Sequence, residues 1–580
     1  MGRFRYLKSF FKQYKWYYAF GIFWLLVVNG IQMFVPRLLG NITDQLAEGL
    51  LDGSDLVRYA IILASIGLLM GVSRALWRIY ITGSARRLEY FIRTKLFLHL
   101  QKLSPSYFNR MKTGDIMAHA TNDINAVRMA FGGGIIMMTD AIVLTVITTI
   151  LMLAQVGWQL TLIAMVPLPF LALGVVSFGK VIHRRFKRVQ AAFSSMTESV
   201  QENLSGIRVV KAFVQEDEEI NRFKKSAQEH VDKNIHLIKI WGVLQPLVQV
   251  ISTLSVILII MFGGIAVING DISIGDFVAF NTYLTLLIWP MMAIGHVINV
   301  LQRGRASMDR LNTILDEEPD IYDGDNALDV DVKGDVEIKD LTFKYEDGTE
   351  ALKNINLKIK RGETLAIIGR TGSGKTTLVN LLLRLANPPR DTVFIDGVDI
   401  NDIKLKPLRE SIGYVPQDNF LFSTNISGNI AFALKDYEQK QVEEAAKFAH
   451  VYDNIIEFPQ KFDTMMGERG VTLSGGQKQR VSIARAIIKD PNILILDDSL
   501  SAVDTQTEEE ILRQLKDIMK SRTSIIISHR VSTVKDADEI IVMDDGEIVE
   551  RGNHEELVDK DGLYANLHYK QQLEEKLGSA

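Results

Sequence analysis

The sequence predicts two folds in one chain. The first is a polytopic α-helical transmembrane domain of six helices with long cytoplasmic extensions. Fused to it is an α/β domain built around a phosphate loop. Three observations predict this. Long apolar runs fill residues 1 to about 310 and then stop. The segments between those runs alternate between basic and free of Lys and Arg. Residues Gly369–Thr377 read GRTGSGKTT, which fits the phosphate-cradling pattern G-x-x-x-x-G-K-[ST] with Gly369, Gly374, Lys375 and Thr376 on the fixed positions.

The chain has 580 residues, more than one hydrophobic core needs. We divide it into a membrane domain over 1–315, a linker over 316–333 and a nucleotide-binding domain over 334–580. The net charge of −4 gives no sign of a nucleic-acid partner. The absence of cysteine excludes disulfides, thiolate metal sites and a cysteine nucleophile. No cleavable signal peptide is expected, because the first apolar run is too long and lacks a small-residue cleavage site.

A helix needs about 20 apolar residues to cross a bilayer. Six segments qualify, near 16–40, 58–82, 131–154, 158–180, 242–268 and 277–300. Asn41–Val57, Gln155–Gly157 and Asn269–Asp276 contain no Lys or Arg. Gly83–Ala130 and Val181–Ile240 are basic, with Arg86, Arg87, Arg93 and Lys95 in the first and Arg184, Arg185, Lys187 and Arg188 in the second. The positive-inside rule then places both termini in the cytoplasm of a cell (plasma) membrane protein. Both basic loops are too long for turns and carry helical periodicity, so spans two to five are predicted to continue as helices beyond the bilayer. At the start of the chain Phe4, Leu7, Phe11 and Tyr14 recur at helical spacing among Arg3, Arg5, Lys8, Lys12 and Lys15. This predicts an N-terminal interfacial helix; an extension of the first span is the alternative.

Some polar and aromatic residues fall at membrane depth. Asp140 reads either as an acidic contact for a cationic substrate or as a partner for a neighbouring helix, Arg74 or Arg78. Trp289, Met291, Met292, His296 and Asn299 read either as the wall of a pocket or as helix packing.

Beyond the acidic stretch Asp316–Gly324 the pattern changes to short strands and helices. Glu363–Ile368 is an apolar strand and a helix is predicted from Lys375, the context the phosphate loop requires. Backbone N–H groups of Gly369 to Thr377, including those of Arg370, Thr371, Gly372 and Ser373, then face phosphates. Lys375 is placed on the β/γ oxygens and Thr376 on Mg²⁺. Ile493–Asp498 reads ILILDD, a buried strand ending in two acids, and Asp497 is assigned to the Mg²⁺ shell. Gln417 in YVPQD has a place for metal and water contacts, His529 in IISHR for the γ-phosphate, and Tyr345 in FKYEDG for stacking on a purine. Spacing alone does not carry these three roles.

Leu473–Gln477 reads LSGGQ. With the phosphate loop, Gln417, Gly467-Glu468-Arg469-Gly470, Asp497, SAVD ending at Asp504, and His529 in this order, the chain resembles ATP-binding cassette exporters in their half-transporter form. The resemblance covers nearly the whole chain. Thr113–Asn125 and the region around Phe213–Glu218 resemble the coupling helices of the family.

The resemblance implies ATP and Mg as cofactors and a dimer with two sandwiched ATP molecules. Each lies between one chain's phosphate loop and the other's signature, here Ser474, Gly475, Gly476 and Gln477. Such exporters usually carry Glu directly after the metal-holding Asp, and here Asp498 stands there. Its carboxylate is withdrawn by roughly 1.5 Å, one C–C bond. The combination resembles the Asp-bearing, first-named subunit of heterodimeric multidrug exporters of Gram-positive bacteria, the kind named LmrCD, BmrCD and EfrCD.

The expectation is therefore a slow, degenerate ATP site around Lys375, Asp498, His529 and Gln417. The partners expected are a homologous half-transporter bearing the catalytic Glu, the lipid bilayer and an amphipathic small-molecule substrate. A homodimeric lipid or lipopeptide exporter and an ATP-binding membrane sensor are the alternatives.

Overall fold

The computed structural model describes residues 2–467, 473–499 and 505–578. Asp504, Glu468, Arg469 and Gly470 lie outside the described residues. The chain divides into two compact units, one of Met1–Gln101 with Lys112–Glu317 and one of Lys102–Met111 with Glu318–Ala580. Most of the segment read as a linker thus lies in the second unit, where Val332 is buried in the strand core.

Among the described residues six helices, all in the first unit, are long and apolar enough to cross a membrane: Arg5–Ala47, Gly53–Leu100, Thr113–Val156, Trp158–Ser205, Glu216–Ile268 and Ile274–Leu315. They run 42 to 53 residues. At about 1.5 Å per residue that is roughly 60–80 Å, at least twice the bilayer's hydrocarbon thickness. Each predicted span therefore continues as helix well past the membrane.

The sixth helix lines its inner face with Ala279, Phe280, Tyr283, Leu284, Leu287, Pro290, Ala293, Val297 and Val300. Small residues let the first helix close on it. A Cβ added to Gly40 would meet the Gly275 carbonyl oxygen at 2.7 Å. Asp44 fastens the same crossing, accepting from Ser273 Oγ at 2.7 Å and Gly275 N at 2.6 Å. Pro36 has no N–H to give the carbonyl four residues before it, and the first helix is interrupted at Met33. The Met33 carbonyl accepts the Tyr283 hydroxyl at 2.9 Å.

Two expectations are corrected here. The predicted interfacial helix is not separate: apart from one tight turn at Arg5–Leu7, it runs directly into the first span. Its apolar face is taken up by protein. Leu7 and Phe10 are buried, Phe10 meets Phe91, Phe4 and Phe11 meet Phe131, and Arg87 lies over Tyr14 and Tyr17. The segment Thr113–Asn125, read as a coupling helix, is the beginning of the third span. Its Asp123 accepts from Ser307 Oγ at 2.8 Å and Arg310 Nε at 2.9 Å on the sixth helix. The short helix that belongs to the second unit lies just before it, at Pro105–Arg110. There Ser104 Oγ donates to Asp320 at 2.8 Å and Arg110 pairs with Glu346 at 3.1 Å.

The second unit holds ten strands among the described residues: β1 (Val336–Lys344), β2 (Glu350–Ile359), β3 (Thr364–Gly369), β4 (Val393–Ile395), β5 (Val398–Asp399), β6 (Ile412–Val415), β7 (Ile493–Asp497), β8 (Thr523–Ile527), β9 (Glu539–Asp544) and β10 (Glu547–Gly552). An antiparallel sheet has the order β2-β1-β4-β5, and a six-stranded sheet the order β10-β9-β3-β8-β7-β6. In the latter β9, β3, β8, β7 and β6 are parallel. The runs LAII, ILIL and SIII are buried along their length, as strands covered on both faces require. One core joins the antiparallel sheet to the helix Lys375–Leu382. A second gathers the helices around Gly475–Ile487 on the other side of β6 and β7.

Candidate functional site

Strand order places four predicted residues or motifs along one edge of the sheet. Neighbouring strands β3, β8, β7 and β6 run parallel, so their carboxyl ends form one edge. Gly369 ends β3, His529 follows β8, Asp497 ends β7 and Gln417 follows β6. Asp497 stands in register with Ile527. Such an edge is where open α/β sheets bind ligands.

The phosphate loop is shaped by close backbone contacts. A Cβ on Gly369 would run into the Met543 carbonyl oxygen of β9. Gly372 and Gly374 have φ of +84° and +96°, which side-chain-bearing residues rarely adopt, and a Cβ on Gly374 would also meet Ala351 O at 2.6 Å. These turns bring the chain directly into the helix Lys375–Leu382, whose first N–H groups are left for a ligand. Lys375 is buried and its ammonium crosses the loop, donating to Gly369 O at 2.9 Å and Arg370 O at 2.7 Å. Burial holds its pKa below the usual lysine range, opposed by the charges of Asp497 and Asp498. Tyr345, which follows β1, reaches the same helix: its hydroxyl and Thr377 Oγ1 are 2.9 Å apart.

Asp497 is 1% exposed, and burial pushes its carboxyl above the usual carboxylate range. The neighbouring Thr376 hydroxyl counters this, and the charges of Lys375 and His529 add to the countering. Among the described residues its Oδ2 is buried without a hydrogen-bond partner. A buried carboxylate oxygen beside a threonine hydroxyl suits a small hard cation such as Mg²⁺, so the residues present fit that ion. Asp498 is half-buried, its N–H donates to Ile527 O at 2.9 Å, and its φ is +46°. Asp tolerates this left-handed conformation better than most residues.

The signature stands elsewhere in the chain. Leu473 anchors it in the second core, and Ser474 and Gln477 are occupied with each other. Ser474 Oγ accepts from Gln477 N at 3.3 Å, and Gln477 Oε1 from Ser474 N at 3.0 Å. This is a reciprocal cap on the helix Gly475–Ile487, and Gly475 and Gly476 begin that helix. Among the described residues no hydrogen bond joins Ser474–Gln477 to Gly369–Thr377.

Sequence reasoning missed Arg485 on this helix. Its guanidinium donates to Asn429 O at 2.8 Å and Phe420 O at 2.9 Å and lies over Phe422 and Phe432. It thereby fastens the segment after Gln417 to the signature helix. Burial lowers its pKa to about 10. In SIARAII it reads as an ordinary polar-face residue; only the nearby Phe420, Phe422 and Phe432 hint at a cation to cover.

In the first unit Asp140 accepts from Asn29 Nδ2 of the first helix at 3.0 Å. Trp289, Met292 and His296 are exposed on the sixth helix, whereas Ala293 and Val297 between and beyond them are buried.

A membrane unit of six spans, joined to a phosphate-loop unit with this strand-edge site, defines the class of ATP-driven membrane transporters. Residues 18–291 match the family described as ABC transporter transmembrane region, and residues 352–501 the family described as ABC transporter. The chain belongs to the ABC transporters, as an ATP-hydrolysing exporter half-transporter and a multi-pass membrane protein.

Among its relatives is the "Probable multidrug resistance ABC transporter ATP-binding/permease protein YheI" of Bacillus subtilis (strain 168), 40% identical over 97% of both chains. The "Multidrug resistance-like ATP-binding protein MdlA" of Escherichia coli (strain K12) is 35% identical over 98% of both. An "ATP-dependent lipid A-core flippase" of Syntrophus aciditrophicus (strain SB) is 37% identical, over 85% of this chain and 82% of its own. A solved bacterial Atm1-family ABC exporter with ATP bound superposes with a TM-score of 0.78 at 26% identity, covering 97% of this chain and 99% of its own.

Proposed function

We propose that this chain is the slow-site subunit of a heterodimeric exporter of amphipathic drugs. The observation that carries the proposal is Asp498, directly after Asp497 at the end of β7, where a Glu would be expected. In this reading Gly369–Thr377 binds the phosphates, Lys375 neutralises β/γ charge, and Tyr345 backs the purine. Thr376, Gln417 and Asp497 would hold Mg²⁺, which when bound offsets charge on the β- and γ-phosphates. Asp498 and His529 address the attacking water and the γ-phosphate. Ser474, Gly475, Gly476 and Gln477, with Asp504, serve the interface with the partner, where the signature helix's N-terminus favours a phosphate. Both termini and the second unit are assigned to the cytoplasm of the plasma membrane on the distribution of Lys and Arg.

Cargo contact is assigned to Trp289, Met292 and His296, because these three side chains stay exposed in this chain. Asp140 is assigned to helix association, because Asn29 donates to it. Asp140→Asn is expected to leave dye transport within about twofold, whereas Asp140→Ala lowers stability in detergent by about 0.6–1.7 kcal/mol, the range for interhelical hydrogen bonds. Transport lost in Asp140→Asn with stability intact would return Asp140 to the cargo site.

The test of the whole proposal is reconstitution. The purified chain should hydrolyse ATP poorly and move no cationic dye in vesicles. Adding a half-transporter with Glu after its metal-holding Asp should restore both, and Lys375→Ala in the complex should weaken ATP binding at this chain's loop. Brisk turnover and transport by the chain alone would sink the heterodimer. They would favour the second reading, a homodimeric lipid exporter, which the likeness to the lipid A-core flippase supports.

A further inference from the structure

We propose that Gln571, on the C-terminal helix, is a positioning residue for His529. Its carboxamide grips the backbone on both sides of Arg530. Nε2 donates to His529 O at 2.7 Å, and Oε1 accepts from Val531 N at 2.8 Å. Arg530 between them is extended, with φ −104° and ψ 128°. A carbonyl of one residue and the N–H two residues on are the groups a parallel strand would engage. One side chain thus replaces a strand beyond the end of β8, where the sheet has stopped, and fixes the peptide that follows His529.

The grip is firmly mounted. Gln571 lies on the helix Leu563–Gly578, two turns beyond Tyr564 and on the same face. Tyr564 is fully buried in a core with Ala366, Ile368, Val531 and Val534, and Leu567 packs against that core. The helix start is held by Glu550, which accepts from Tyr564 N at 3.1 Å. From the other side buried Glu508 accepts from Arg530 and Thr533. The segment carrying His529 is therefore clamped between two helices, just beyond the carboxyl end of β8 and beside β7, which ends at Asp497. A role limited to capping the short helix Val531–Val534 would need only the Oε1 contact; the Nε2 contact to His529 O is the part that orients the histidine.

The proposal rests on the reading of His529 as a contact of the γ-phosphate. It is tested with the full-length chain, paired in nanodiscs with a half-transporter whose own catalytic Glu is replaced by Gln, by single-turnover hydrolysis of ATP with protein in excess, alongside ATP Kd and thermal stability. A misplacement near 1 Å can cost about a hundredfold in rate, so His529→Ala is expected to slow the step by on the order of a hundredfold and Gln571→Ala by about tenfold, with Kd within about twofold. Gln571→Glu keeps the acceptor for Val531 N but turns a carboxylate toward His529 O, and should be as slow as Gln571→Ala. The double variant should be no slower than His529→Ala, since the two act through one group. Gln572→Ala, one residue on and bonded to His568, should keep the native rate.

A native rate in Gln571→Glu, or a double variant slowed by both factors multiplied, overturns the clamp while leaving His529 in its role. A native rate in His529→Ala overturns that role and the clamp with it.

Discussion

Replacing Asp498 by Glu is expected to raise ATP turnover at this chain's own phosphate loop on the order of a hundredfold, with ATP affinity within about twofold, in the proposed heterodimer whose partner has its catalytic Glu replaced by Gln. The argument is one of reach. Asp498 is fixed at its backbone: its N–H is bonded to Ile527 O and β7 behind it is buried throughout. The carboxylate can advance toward the attacking water only through a longer side chain, and one methylene adds roughly 1.5 Å. Affinity should not follow, because Lys375, Thr376 and the loop glycines are untouched. A modest stability cost is expected, since Asp498 has a φ of +46° and Glu is less at ease there, by about 1–2 kcal/mol at most. The variant should thus melt slightly earlier and work faster, and steady-state phosphate release with a melting curve reads both. A variant no faster than the native chain would mean that Asp498 is not what limits this site.

The second large effect is expected at Ser474, and in the proposed heterodimer it should appear at the partner's site rather than at the chain's own. Removing a preorganised donor from developing phosphate charge costs about a hundredfold to a thousandfold in kcat. Ser474 also caps its helix, so Ser474→Ala mixes two effects and should lose about 1 kcal/mol of stability. Ser474→Asn separates them. Asn caps as well as Ser but carries no hydroxyl at that position. We expect Ser474→Asn to leave the melting temperature alone and to cut turnover of the complex by about a hundredfold. Nucleotide binding at Gly369–Thr377 should be unchanged, as no hydrogen bond joins the two segments among the described residues. A complex that keeps its rate with Ser474→Asn would remove the signature of this chain from the hydrolytic site.

The two experiments together bear on how the site could be read from sequence. The phosphate loop, ILILDD and the strand before His529 were legible because their chemistry is local. Glycines at forced φ, a lysine after them and acids at the end of an apolar strand leave a pattern in consecutive residues. Partner identity along an amphipathic face is not local. Phe4, Leu7, Phe11 and Tyr14 have the same spacing whether they face lipid or Phe91 and Phe131, so the N-terminal segment was misassigned. The polar run Thr113–Asn125 has helical periodicity wherever its neighbours lie, and only the pairing of Asp123 with Ser307 and Arg310 makes it part of the third span. Gln571 and Arg485 grip main-chain atoms, which leave no trace in the sequence of the segment being held.

The placement of Lys102–Met111 in the second unit has a consequence for biogenesis. Ser104 must find Asp320, 216 positions later. At about 5–20 residues per second the ribosome delivers that partner roughly 10–40 s after the serine. Spans three to six are synthesised in the interval, so the second unit cannot be completed until the membrane helices have been made. Four crossings separate the two pieces of this unit, an even number, which returns the chain to the side it left. A chain that misses one insertion would strand Pro105–Arg110 across the bilayer from its docking place. Assembly of the second unit therefore doubles as a check on how the membrane helices were threaded.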